Sequence, residues 1–503
     1  MSPTRSFLPN ARRRRPVVVA SVVAAVVATA FAASSAFAQT SGGPEWPQFQ
    51  GGPEHHGGTG DGPAPPYRTR WTFTSPDGSG LSGAVIVEGL AISVGRRSVY
   101  ATDVATGDLA WDVPRADGPV SSPAIASGRP RTLLYVDGGG STTPTPSPSP
   151  TPTDASPTPT DGSPSPAPDG DAEAAGASLV AIGLGDRREV WRAPLGAESR
   201  SGVTVDGEVA YVGDQDGTLY AVDVADGTVR WTSEMPGRID VSIAASDGRV
   251  VAISRNDDDR RVVVAAHDAD DGERLWQITP QLGATTASSA TIADDAVIVG
   301  LADRFVRALD VANGQERWSS LALQLFSPLT AAAADEDAVF IADLGGGLYR
   351  FDATDGGRVW SFQFNEVVLR SSPVLVDRWV LLGLNDGRLV AVNAESGRLN
   401  WQSASSQGLA GTIAVSSEAI VVVRGGDDPG LVAFENDPDG RLIDEPSPTE
   451  LDAGTTLGRV AVAAAIVLAA TLVPGMLIRR RMGDRALVGA DVVVEADEGE
   501  VES

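Results

Sequence analysis

One phrase recurs along the chain: an apolar strand, an Asp or Asn, a turn containing Gly, and a second strand ending in Trp. It reads VYATDVATGDLAW to Trp111, LVAIGLGDRREVW to Trp191, LYAVDVADGTVRW to Trp231 and VVAAHDADDGERLW to Trp276. VRALDVANGQERW to Trp318, LYRFDATDGGRVW to Trp360 and LVAVNAESGRLNW to Trp401 complete the series. With Trp71, successive Trp positions lie 40, 80, 40, 45, 42, 42 and 41 residues apart. The spacing of 80 is one period plus an insertion of about one more. Within a unit such as Gly202–Trp231, Asp-Gly turns divide four short strands, because Gly supplies the positive φ of a tight hairpin. Four strands per repeat of about 40 residues is propeller arithmetic; the alternative, a β-solenoid, has shorter repeats.

The ends of the series predict how the ring closes. Trp71 has no preceding half-repeat, whereas Leu431–Leu442 (LVAFENDPDGRL) starts the phrase and finishes without a Trp. Pairing Tyr67–Phe73 with that last unit leaves no sheet edge open and gives eight blades. The expected fold is therefore all-β, an eight-bladed β-propeller of four-stranded antiparallel blades over 67–443. One Trp per unit (Trp71, Trp111, Trp191, Trp231, Trp276, Trp318, Trp360, Trp401) is expected to fill the gap between wedge-shaped neighbours. Trp46 and Trp379 lie off the pattern, in the lead-in and in blade seven.

Two apolar runs flank the repeats. Arg12–Arg15, then Val17–Ala33, then Ala36-Phe37-Ala38 have the order of a secretory signal peptide over 1–38; an uncleaved anchor fits the same residues. Val460–Ile478 carries no charge and is followed by Arg479-Arg480-Arg481. This predicts a transmembrane helix over 457–478, with the acidic tail 479–503 in the cytoplasm and the repeats outside. A Gly/Pro-rich lead-in (39–66) and a linker (444–456) bracket the propeller. The Ser/Thr/Pro-rich stretch 139–176 interrupts blade two at a hairpin and is expected to be disordered. The expected location is the cell membrane, single-pass, with the ectodomain extracytoplasmic.

Composition removes several chemistries. The 503 residues contain no Cys, and all 39 basic residues are Arg, against 66 Asp and Glu and a net charge of −27. This excludes disulfides, thiolate sites, a lipidated Cys, a Lys Schiff base and a P-loop, and the acidity argues against a nucleic-acid partner.

The repeat resembles the quinoprotein-type, PQQ-like propeller family, through Gly-(x)-Leu-Tyr-Ala-(x)-Asp-(x)₃-Gly-(x)₃-Trp at Gly217–Trp231. The opening Trp46-Pro47-Gln48-Phe49-Gln50-Gly51 and His55-His56-Gly57-Gly58-Thr59-Gly60 are similar to that family's lead-in. The resemblance implies one of two activities. Dehydrogenases of the family bind pyrroloquinoline quinone and Ca²⁺; cofactor-free members act as binding platforms, one of them a scaffold of the outer-membrane β-barrel assembly machinery. The dehydrogenases' Cys pair is missing here, only Arg could fill the role of their Lys or Arg, and their long insertions are lacking, so no catalytic, cofactor-binding or metal residue is carried across.

Other candidates read as structural. His55, His56 and His267 are too scattered for a metal or triad site, and the first two are expected in a solvated loop. Asp214-Gln215-Asp216-Gly217 imitates the start of a calcium loop but lacks its bidentate Glu, so a hairpin turn is expected. Asn256-Asp257-Asp258-Asp259 reads as an acidic turn, and Ser121-Ser122-Pro123 and Ser371-Ser372-Pro373 as the starts of inner strands. The expected function is a membrane-anchored, non-enzymatic module that binds a protein, peptide or envelope polymer, without cofactor. The alternative is a quinone- and Ca²⁺-dependent alcohol or sugar oxidoreductase; signalling through the helix to the tail stays open beside tethering.

Overall fold

The computed structural model describes residues 45–128, 130–138, 176–256, 260–280, 288–301, 303–321, 330–366, 371–405 and 409–443. Both apolar runs, the linker, the tail and all but the last residue of the 139–176 insertion lie outside those residues. Among the described residues no helix is long and apolar enough to cross a membrane.

Eight separate sheets follow one another, each with four antiparallel blade strands, and in all but the last these strands run in chain order from inside to outside. Blade three runs Thr204–Asp206, Val209–Gly213, Thr218–Asp223 and Val229–Glu234. Its second strand is buried along its whole length, since neighbouring blades cover both faces, and so reads as a continuous apolar run. The outer strand alternates, as Glu189–Pro194 of blade two does. Blade eight joins the two ends of the repeat region: Tyr67–Thr74 is the outer strand against Gly430–Asn436, paired from Tyr67–Asn436 to Thr74–Gly430 with one register shift between Thr69 and Trp71. The ring is closed as the orphan half-repeat implied.

The repeated Trp acts across blades. The Trp71, Trp191, Trp231, Trp276, Trp318 and Trp360 indoles donate from Nε1 to Val104, Val224, Ala269, Val311, Ala353 and Ala394, at 2.8–2.9 Å. Each acceptor lies in the turn between third and outer strands of the next blade. The motif Asp opens that turn; Asp223 Oδ1, for instance, accepts from the Ala225 amide. The motif Gly lies under the preceding blade's indole: a Cβ on Gly227 would come 2.6 Å from the Trp191 ring, and φ there is +76°. Asp, Gly and Trp thus recur together because they form one junction between two blades.

Candidate functional site

An inner strand in a propeller is a sheet edge, with amides pointing into the channel. Here the lead-in covers those edges. Trp46 exchanges backbone bonds with Ile86 of blade one, and Pro47 O accepts from Ile125 of blade two. The Gln48 amide does the same work with its side chain, accepting from Val205 N at 2.8 Å and donating to Val205 O at 3.0 Å. Carbonyls of Pro53, Glu54, His56 and Gly57 then accept from Ala245, Ile292, Ala334 and Leu375 of blades four to seven, all at 2.8 Å. Gly58–Thr59 adds a short parallel strand to blade seven. Gly62 packs on Val415 of blade eight. Residues 46–62 therefore form a collar that visits all eight blades in order before Tyr67 enters the last sheet.

His55 corrects the expectation of a solvated loop. It is fully buried under the collar, with Nδ1 3.2 Å from Ala290 O, Nε2 3.3 Å from Thr204 Oγ1, and its ring edge-on to Phe49. Burial holds its pKa down to about 4, so the ring is neutral near pH 7. His56 is half-buried, and its Nδ1 accepts from Gly58 N. His267 is buried in blade four, far along the chain from this pair.

Above the collar at blades five to seven lies a cavity of about 590 Å³, lined by Glu54, His56, Gly58–Gly60, Ile292–Asp294, Ala334–Glu336, Leu375 and Asp377. Five of these residues carry carboxylates and none is Arg. Asp335 spends Oδ1 on the turn amides of Asp337 and Ala338. Glu54, Asp294, Glu336 and Asp377 form no ion pair among the described residues, so their charge is available to a ligand. Asp294, Asp335, Glu336 and Asp377 come from the turns between inner and second strands. Repeat geometry places those turns side by side, although the sequence separates them by about 40 residues.

The remaining sequence candidates are structural. Asp214 is a turn residue, as expected: Oδ1 accepts from Asp216 N and Thr218 N, and Oδ2 from the Tyr220 hydroxyl. Asp343 is its counterpart in blade six. Its Oδ1 accepts from Gly345 N and Gly347 N, and burial pushes its pKa up to about 7. Asn256 ends a strand, and Asp257–Asp259 lie outside the described residues. Ser371 Oγ accepts from Gly383 N, bracing the end of the second strand; Ser82, Ser288 and Thr330 do the same in their blades. Among the described residues no group of three or more His, Asp or Glu is arranged to hold a metal ion. The collar was not foreseen from sequence. Its signal was two Gln amides and a Trp in a Gly/Pro-rich stretch outside the repeat, residue types that bond and pack without a regular strand.

A family profile described as outer membrane protein assembly factor BamB matches residues 175–324 and 306–472. A protein of that name from Bordetella pertussis is 27% identical over 270 residues, covering 51% of this chain and 67% of that protein. The crystal structure of BamB from Moraxella catarrhalis superposes with a TM-score of 0.53 at 14% identity, covering 74% of this chain and all of that one. A quinohemoprotein alcohol dehydrogenase from Pseudomonas putida HK5 superposes at 0.56 with 11% identity, covering 82% of this chain and 84% of its own. At these identities the two structures share the fold alone.

Proposed function

The chain belongs to the PQQ-like repeat family whose profile is described as outer membrane protein assembly factor BamB, and from that premise we propose that it is a non-enzymatic, protein-binding scaffold of the cell envelope. The observation that carries this reading is the acidic cavity above the collar. It is an unpaired anionic surface held by three rigid blades, and it suits a basic polypeptide segment of a partner protein. The collar seals the inner edges behind it, so partner contacts fall on side chains and turns. Val460–Ile478 is the proposed membrane anchor, leaving the propeller outside the cytoplasm.

The test is binding of Arg- and Lys-rich peptides to the full chain in detergent. Replacing Glu54, Asp294, Glu336 and Asp377 together by their amides is expected to weaken binding at least about tenfold, from the usual worth of exposed charge pairs. Raising the salt is expected to weaken the wild type and leave the variant almost unchanged. Equal affinity in the two proteins, or no binding by either, overturns the reading.

A further inference from the structure

Both ends of the propeller leave from the same face. At the N-terminal side Glu45 pairs with Arg131, in the turn between inner and second strands of blade two. At the C-terminal side Asp437 N donates to Pro66 O and Ile443 N to Asn400 O. Asn400 follows the turn between third and outer strands of blade seven. Up-and-down blades put these two kinds of turn at one end and the turns between second and third strands at the other. The exits therefore share the collar face, and blade two's interrupted hairpin, between Thr132–Asp137 and Ser178–Gly183, points the opposite way.

We infer that the propeller stands with its collar face toward the bilayer and its second-to-third-strand turns away from it. The inference rests on the proposed anchor. From Ile443, the 13 residues 444–456 reach at most about 45 Å when fully extended, and about 20 Å as a flexible coil. Blade strands of about six residues make the ring about 20 Å thick. Ile443 leaves beside Asn400, on the outer strand of blade seven, so turning the ring over would use the spacer's whole relaxed reach on that thickness alone. The cavity at blades five to seven opens into the gap so defined.

The absence of Cys makes the test clean. Glu208→Cys and Asp216→Cys are exposed changes at opposite ends of one strand, Val209–Gly213, and Glu336→Cys marks the cavity. Each full-length variant is labelled with a donor dye and reconstituted into vesicles carrying a headgroup acceptor. Transfer from positions 208 and 336 is expected to exceed that from 216 severalfold. Equal transfer from all three, or more from 216, in vesicle-bound protein overturns the orientation alone. Protein left in the supernatant, with no transfer from any position, overturns the anchor and the orientation with it.

Discussion

Six blade junctions close in one way, and the junction between blades one and two does not. At the regular junctions the indole lies over a glycine with φ between +67° and +79° and donates to the next blade's turn. Between blades one and two the glycine's place is taken by Arg187, which keeps a positive φ of +59° and the same turn bond, Arg187 N to Gly183 O. Trp111 is half-buried there and makes no indole hydrogen bond among the described residues, whereas the regular Trp residues are 7–8% exposed. Blade eight solves the problem differently. It is built from two chain ends and lacks the turn, so Trp401 packs against the edge of Tyr67, with ring centroids 4.9 Å apart. The motif glycine thus serves the neighbour's ring as much as its own turn. Where the side chain returns, the backbone survives, the indole hydrogen bond is missing among the described residues, and Trp111 is left only partly buried against the core that blades one and two share.

Truncating the indoles is the strongest way to widen this contrast. Trp231→Ala is expected to cost about 3–5 kcal/mol, the usual range for a buried Trp, and Trp111→Ala less than half of that. Urea unfolding of the two variants measures it, and equal losses would remove the distinction. Exchanging the turn residues gives a smaller effect of both signs. Gly272→Arg places a Cβ 2.5 Å from the Trp231 ring at φ +75° and is expected to cost at least about 2 kcal/mol. Arg187→Gly relieves a left-handed residue and is expected to stabilise by roughly 1 kcal/mol.

The smallest net effect is the wild type's own pH dependence, because the collar and blade six oppose each other. His55 is neutral in the folded chain down to about pH 4, but the unfolded chain takes up that proton near 6.5. Its contribution to stability is therefore lost as pH falls through that window. Asp343 holds its proton in the folded chain up to about pH 7, against 3.8 unfolded, so its contribution is lost as pH rises. Between about pH 4 and 6.5 the two slopes offset. Asp343→Asn is expected to leave stability falling toward acid, and His55→Gln to leave it falling toward neutrality. Parallel urea midpoints for the two variants would refute the pairing.

The blade count, strand order and closure were legible because each depends on short-range chemistry. Asp-Gly sets a turn, alternation sets a face, and a missing Trp at Leu431–Leu442 marks the unit that Tyr67–Thr74 completes. The sequence reading gave the eight tryptophans a packing role between neighbouring sheets; that six of the indoles donate to the turn of the following blade was not legible. His55 was misread because a Gly- and Pro-rich segment has no periodicity from which burial can be judged. The cavity was hidden for another reason: Asp294, Asp335 and Asp377 each look like ordinary turn residues, and only the ring makes them neighbours.

The sequence by itself determined the repeating unit and the number of times it is used, since hairpins and their turns are fixed by residues a few positions apart. Only the tertiary structure decided what fills the channel mouth, which face both ends of the propeller share and where unpaired charge accumulates. Those outcomes depend on contacts between residues tens to hundreds of positions apart. Their geometry exists only once the eighth blade has met the first.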